Sequence, residues 1–192
     1  VGASNEARDG GGRAMVTALG THGVGKGATG AGGGARWGDL ANCVVEGNRA
    51  VGNGGGTHDG RAVGCAIRRN QAGAHGGGSL GGTLVNCTVV GNEAMVSGGG
   101  VLGCTVTNSI VFHNWAGQER EWSGGSMYYS CSQPLSPGVA NTTNNPRLQC
   151  LDDPRLMAGS PCIDAGSNAP WMAAMRDLDG EPRLAGLAVD LG

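Results

Sequence analysis

Residues 86–100, NCTVVGNEAMVSGGG, decide the fold. The run Cys87-Thr88-Val89-Val90 has the alternation of a short strand, and Gly91-Asn92 ends it. Three consecutive glycines close the stretch. Glycine loses more backbone entropy on folding than any other residue, so a triplet persists only where geometry demands it. The demand becomes visible when the rest of the chain is laid beside this stretch.

Glycine triplets fall at 10–12, 32–34, 54–56, 76–78 and 98–100, always 22 residues apart. Asn48, Asn70, Asn92 and Asn114 keep the same interval, as do Cys43, Cys65, Cys87 and Ser109. Val45, Ile67, Val89 and Val111 form a further column, and Ala41, Val63, Val85 and Thr107 another. Several columns sharing one period define a solenoid. The 40 glycines among 192 residues are roughly three times the average usage. They follow no Gly-X-Y period, which excludes collagen, and the Val/Ile/Cys strands argue against disorder.

The columns two apart (41, 43, 45 and their equivalents) place alternating side chains on one strand face. No 3.6-residue apolar stripe is present, which excludes helical repeats and the leucine-rich horseshoe. The remaining architecture is an all-β, single-stranded parallel β-helix with 22-residue coils. Stacked about 4.8 Å apart, five coils reach a height on the order of 24 Å. Cys43, Cys65 and Cys87 are expected to stack inward. Asn48, Asn70, Asn92 and Asn114 are expected to form an amide ladder at a corner, where asparagine tolerates left-handed backbone angles. The glycines belong where φ is positive or where coils approach too closely for a Cβ.

Thr21 and Lys26 replace Cys and Asn in the first coils, which predicts a weaker, fraying start. Arg120-Glu121-Trp122 stands where the next triplet is due, so residues 115–130 read as a longer, irregular final coil or loop. The coils therefore occupy 1–130, with register clear from about 10 to 114, and 131–192 form an irregular C-terminal capping segment packed on the β-helix end.

The repeat L-x-N-C-x-V-x-G-N-x-A followed by GGG resembles the right-handed parallel β-helix repeats of bacterial secreted and surface proteins. These are relatives of the polymorphic outer-membrane-protein repeats and of the pectate-lyase-like superfamily. Ser160-Pro161-Cys162-Ile163-Asp164-Ala165-Gly166, Asp177-Leu178-Asp179-Gly180-Glu181-Pro182-Arg183 and Val189-Asp190-Leu191-Gly192 are similar to the segment that closes such β-helices. The resemblance covers about 25–192. It implies the right-handed sense, an extracellular or bacterial cell-surface location, and a turn at the cap fixed by Asp177 and Asp179 with Arg183 pairing locally. The family's ending continues beyond the equivalent of Gly192, so a fragment or mature form is expected, with signal peptide and anchor outside this chain.

Net charge is -2 and pI about 6.1, with no basic run, which disfavours nucleic acid as a partner. No apolar stretch approaches the roughly 18 residues of a membrane helix, so no insertion within this chain is expected. A monomer is the expected state. Residues 20–27, GTHGVGKG, fall one hydroxyl short of a phosphate loop and lack its strand–loop–helix setting, so no nucleotide is expected.

In the 22-residue register Asp39 falls over Arg61 and Glu46 over Arg68, while Glu93 lies two coils from Arg49 with Gln71 between. This alternation of sign suits rung-to-rung salt bridges rather than a catalytic carboxylate cluster. Asp152 with Asp153, or Asp177 with Asp179, offers a spacing of roughly 5–9 Å for glycoside hydrolysis, against the plainer reading of solvated loop acids. Asp177 and Asp179 also echo the start of a calcium loop without its later ligands, leaving Ca2+ the one cofactor to consider. His22, His58, His75 and His113 show no metal spacing. Ser109 and Ser160 have no triad partners. Trp115, Trp122, Tyr128 and Tyr129 gather near the last coil, as a binding patch or as a cover over the open end of the core.

Cys104, Cys131, Cys150 and Cys162 lie outside the repeat columns; pairing among the last three is open, and the odd total leaves at least one thiol free. A solenoid presents long, regular faces suited to extended ligands. The leading expectation is a non-catalytic secreted or cell-surface β-helix acting in adhesion or carbohydrate contact. The alternatives are a polysaccharide lyase or glycoside hydrolase, and a structural spacer. An ice-binding face is excluded, because Thr105-Val106-Thr107 does not recur.

Overall fold

The computed structural model describes residues 30–192 in full, and 17–19, 22–24 and 27–28 as backbone strands. Among the described residues, parallel strands wind into a β-solenoid with three sheets of nine, six and five strands. The first sheet runs from Thr17–Leu19 through Ala35–Ala41 and Thr57–Val63 to the paired short strands ending at Ser126–Tyr128. The second holds Val44–Glu46, Ala66–Arg68, Thr88–Val90, Ile110–Phe112 and Cys131–Ser132, preceded by His22–Val24. Gly27–Ala28, Arg49–Ala50, Gln71–Ala72, Glu93–Ser97 and Trp115–Gln118 make the third. The only helix among the described residues is the short 3-10 turn Pro170–Ala174.

Left-handed residues make the corners, and their chemistry follows from position. Asn42, Gly64, Asn86, Asn108 and Tyr129 turn the chain from the first sheet to the second. Gly47, Arg69, Gly91 and His113 turn it from second to third. The ladder asparagines follow that second corner and do not themselves carry positive φ, so the left-handed role expected of them passes to the residue before each. The corner at position 42 and its equivalents also breaks the alternation assumed for columns 41, 43 and 45. The inward column of the first sheet is therefore Leu40, Ala62, Leu84, Val106 and Met127, which join Cys43, Cys65, Cys87, Val45, Ile67, Val89 and Val111 in one core.

Each glycine of the triplet has its own reason. The first has positive φ: 77° at Gly32, 67° at Gly54, 65° at Gly76 and 63° at Gly98. At the second, a Cβ on Gly55 meets the Gly77 carbonyl oxygen at 2.4 Å, and one on Gly77 meets the Gly99 oxygen at 2.4 Å. At the third, a Cβ on Gly78 meets the Gly100 oxygen at 2.6 Å and the Asn92 amide at 3.0 Å. The third sheet is thus pulled close, and its inward column is alanine: Ala50, then Ala72, Ala94 and Ala116 as a small cluster of their own.

The ladder has a direction. Asn48 Nδ2 donates to Asn70 Oδ1 at 2.8 Å, Asn70 to Asn92 at 2.9 Å, and Asn92 to Asn114 at 2.9 Å. Each Oδ1 also accepts the backbone N–H of the preceding asparagine. Asn114 finds no further asparagine and donates to Glu121 Oε2 at 2.8 Å, whose carboxylate also accepts the Asn114 backbone N–H. A carboxyl group keeps acceptor capacity whether ionised or protonated, so it can end the series. Glu121 is 8% exposed. Burial pushes its carboxyl up to about 7, against the pull of the Asn114 bonds.

The solenoid does not become irregular at 115. Glu93 pairs with Trp115 at the old interval, Ser97 with Gln118 one residue short, and Val101 with Trp122, Thr105 with Ser126 and Ile110 with Cys131 keep the shorter step. One deletion in the third sheet, marked by an irregular register between Ala94 and Ser97, produced the apparent loss of period. The arrangement brings Glu121 to the place of Gly100 and Trp122 to that of Val101. Triplet 10–12 and the substitutions at Thr21 and Lys26 lie outside the described residues. So do Gly20 and Gly25 of the loop-like stretch, while His22–Val24 and Gly27–Ala28 pair as ordinary rungs.

Two predictions come from this geometry. Gly77→Ala forces a Cβ against backbone and should lose at least about 3 kcal/mol in urea unfolding. Gly103→Ala, at φ 67° with nothing within 4 Å of its Cβ, should lose only about 1–2 kcal/mol. Because the Glu121 carboxyl is raised in the folded state above its ordinary 4.5, its contribution to stability is full below pH 4.5. It declines as pH rises toward 7, by at most about 3 kcal/mol. Glu121→Gln keeps an acceptor for Asn114, should flatten this slope, and should be the more stable form at pH 8, as read by urea midpoints across pH.

Candidate functional site: a groove beneath the C-terminal segment

The second sheet carries apolar residues on both faces in its later coils. Every residue of Thr88–Val90 and Ile110–Phe112 is buried, the mark of a strand covered from both sides. Inward residues enter the solenoid core, while Ile110 and Phe112 pack with Cys131, Cys162 and Leu191, flanked by Leu148, Leu156 and Ala165. The C-terminal segment thus closes the end of the solenoid at Cys131, through a bridge to Thr142, and also folds back along the outer face of the second sheet.

The corner asparagines fasten it there. Asn108 exchanges two bonds with Ser167, donating through Nδ2 to its carbonyl at 2.9 Å and accepting its N–H at 2.8 Å. Asn42 Nδ2 donates to the Arg176 carbonyl at 3.0 Å, and Arg183 Nη2 donates to the Asn86 carbonyl at 3.0 Å and to that of Gly192. Arg69 pairs with the Asp152 carboxylate and Arg68 donates to the Asp152 carbonyl, while Arg68 Nη2 also meets Glu46 at 3.0 Å. Arg183 therefore reaches a corner 97 residues away, instead of pairing locally. Burial holds its guanidinium below the usual arginine range.

Towards the earlier coils the outward positions become Val44, Ala66, Glu46 and Arg68, and the segment no longer seals the sheet. A groove of about 920 Å3 opens between them. Asn42, Arg68, Asn86 and Thr88 line it from the solenoid; Asp153, Arg155, Asp177, Asp179, Arg183 and Asp190 line it from the segment. Five buried polar atoms among these residues have no partner: Asn42 Oδ1, Asn86 Oδ1, Asn86 Nδ2, Arg68 Nε and Arg183 Nε. A buried polar group without a partner is costly, and five of them together set this part of the molecule apart.

The groove carboxylates, by contrast, are engaged. Asp179 binds Arg155 through both oxygens, at 2.9 and 2.6 Å, and this guanidinium holds its carboxyl below the usual range. Asp153 takes the third Arg155 bond at 2.7 Å. Asp177 Oδ1 accepts the backbone N–H groups of Asp179 and Glu181, both at 2.9 Å, and Asp190 accepts that of Asp164 at 2.8 Å. Asp177 and Asp179 are thus spent on a turn and an ion pair. Among the described residues no three or more His, Cys, Asp or Glu side chains are grouped to hold a metal.

The aromatic residues near the last coil do not share a face. Trp115 is exposed at the start of Trp115–Gln118 in the third sheet, Trp122 and Tyr128 belong to the first sheet, and Tyr129 occupies a corner. Trp122 packs on the core, with its indole N–H donating to the Pro134 carbonyl at 3.1 Å. Of the stacked charges, Glu46 and Arg68 form the ion pair, Asp39 and Arg61 share register without one, and Gln71 Nε2 donates to Glu93 at 3.3 Å.

Sequence reasoning did not find the groove, although two signals were there to read. Ile110-Val111-Phe112 is apolar on both faces, unlike Val44-Val45-Glu46, and Asn42, Asn86 and Asn108 form a second asparagine column at a corner. No helix of the described residues is long and apolar enough to cross a membrane. Comparison with protein-family models, with curated proteins and with solved structures finds no match.

Proposed function

We propose that this β-solenoid belongs to a secreted or cell-surface protein, of the kind typified by polymorphic outer-membrane-protein repeats and the pectate-lyase-like superfamily, and holds carbohydrate in the groove without cleaving it. The observation that carries this reading is the set of partnerless groups around the groove. They mix donors (Arg68 Nε, Arg183 Nε, Asn86 Nδ2) with acceptors (Asn42 Oδ1, Asn86 Oδ1). A sugar hydroxyl both donates and accepts, so a run of hydroxyls answers such a mixture as neither a purely apolar nor a purely anionic ligand does.

A non-catalytic role is supported by the state of the acids. A glycoside hydrolase needs one carboxyl raised so that it can donate a proton. Asp179 is lowered by Arg155 instead, and Asp153, Asp177 and Asp190 are each occupied by donors. A polysaccharide lyase or hydrolase is the second reading, favoured by the presence of Asp177, Asp190 and Arg183 along one groove.

A glycan-array screen run beside an absorbance assay for unsaturated uronides tests both. Asn86→Gly removes the partnerless amide and preserves the left-handed corner. It should weaken binding of the selected glycan about tenfold, roughly 1.4 kcal/mol, while the circular dichroism spectrum is unchanged. Retention of no glycan on the array sinks the carbohydrate reading and leaves a spacer. Turnover of any polyuronide overturns the non-catalytic one.

A further inference from the structure

All seven cysteines are thiols in this structure, but they are not equivalent. Cys43, Cys65 and Cys87 stack one coil apart, so their side chains run parallel and do not converge as a disulfide requires. Cys104 belongs to the solenoid core rather than lying apart from it, and burial pushes its thiol up to about 12. Cys150 is exposed, with its sulfur accepting the Asp153 N–H at 3.2 Å. Cys131 and Cys162 differ from all of these. They come from unrelated segments, the strand Cys131–Ser132 of the last coil and the turn after Pro161, and they meet in one apolar cluster with both side chains fully buried. Cys131 Sγ donates to the Asn144 carbonyl at 3.1 Å, and Cys162 belongs to the same small apolar cluster.

We infer that Cys131 and Cys162 are a cross-linking pair, whose disulfide fastens the C-terminal segment to the last coil. The contact is between segments that approach each other, not between stacked copies, so bond formation needs no shift of the coils against one another. The oxidant is a small disulfide such as oxidised glutathione. The Cys162 thiolate attacks one of its sulfurs and expels a glutathione thiolate, leaving a mixed disulfide. The Cys131 thiolate then attacks the Cys162 sulfur and expels the second glutathione, so two protein thiols are oxidised and one glutathione disulfide is reduced to two thiols. The closed loop contains Asp152, Asp153 and Arg155, so the bond also secures one wall of the groove.

The test refolds the full chain from urea in mixed reduced and oxidised glutathione, followed by peptide mapping without reductant and thermal unfolding. The expected map shows two of the seven thiols lost and one linked pair of peptides carrying Cys131 and Cys162. A reductant should then lower the wild-type Tm by about 5–15 °C and leave the Tm of the double variant Cys131→Ser, Cys162→Ser unmoved. Because the reductant effect is read on one and the same chain, poor folding of the variant does not remove the test. Folded protein in which Cys131 and Cys162 both stay reduced overturns the inference. So does a map in which either is joined to Cys150.

Discussion

Each coil is held to the next by an asparagine amide bonded to another asparagine amide, at 2.8–2.9 Å over the described coils. The rest of the molecule is arranged so that this bond can be made without interruption. It needs successive coils in strict register, and the glycine triplets supply that by letting backbones close to distances a Cβ would forbid. It needs a narrow interior, which restricts the inward column of the third sheet to alanine, at Ala50, Ala72, Ala94 and Ala116. Because it runs one way, it needs an acceptor at its end. Glu121 meets that need, held buried with its carboxyl raised, so the ladder ends in a pH-sensitive group.

The same regularity explains what was legible in the sequence. A column whose members bond to or stack on their own copies must repeat the residue type, and so Asn48, Asn70, Asn92 and Asn114, the cysteine column and the triplets announce the coils directly. What does not repeat was harder to read. The one-residue deletion before Gln118 shifted Glu121 and Trp122 out of phase with the glycines they replace, and the final coil passed for a loop. Positive φ was assigned to the ladder asparagines because asparagine tolerates it, but Gly47, Arg69, Gly91 and His113 take that turn, leaving the ladder residues free to direct their amides inward.

The groove was illegible for a different reason. Its walls come from residues far apart in sequence: Asn42 and Asn86 on the coils, Arg176 and Arg183 on the segment that returns over them. No periodicity links the two sets. The segment is placed by apolar cover over Ile110 and Phe112 and by the corner asparagines, and it parts from the sheet where the outward residues become Glu46 and Arg68. The proposed glycan groove lies where the solenoid's repetition fails, at a seam between a periodic scaffold and an aperiodic strap.

The ladder is the claim on which the account depends, and hydrogen exchange of the asparagine side-chain amides tests it most directly. If the ladder exists, the Nδ2 protons of Asn70 and Asn92 exchange slowly, by orders of magnitude relative to an exposed amide, and with the same protection as the backbone N–H groups of Asn70 and Asn92 that bond to the next coil. Side-chain amide exchange at the rate of exposed asparagine, in a folded chain whose backbone remains protected, would contradict it.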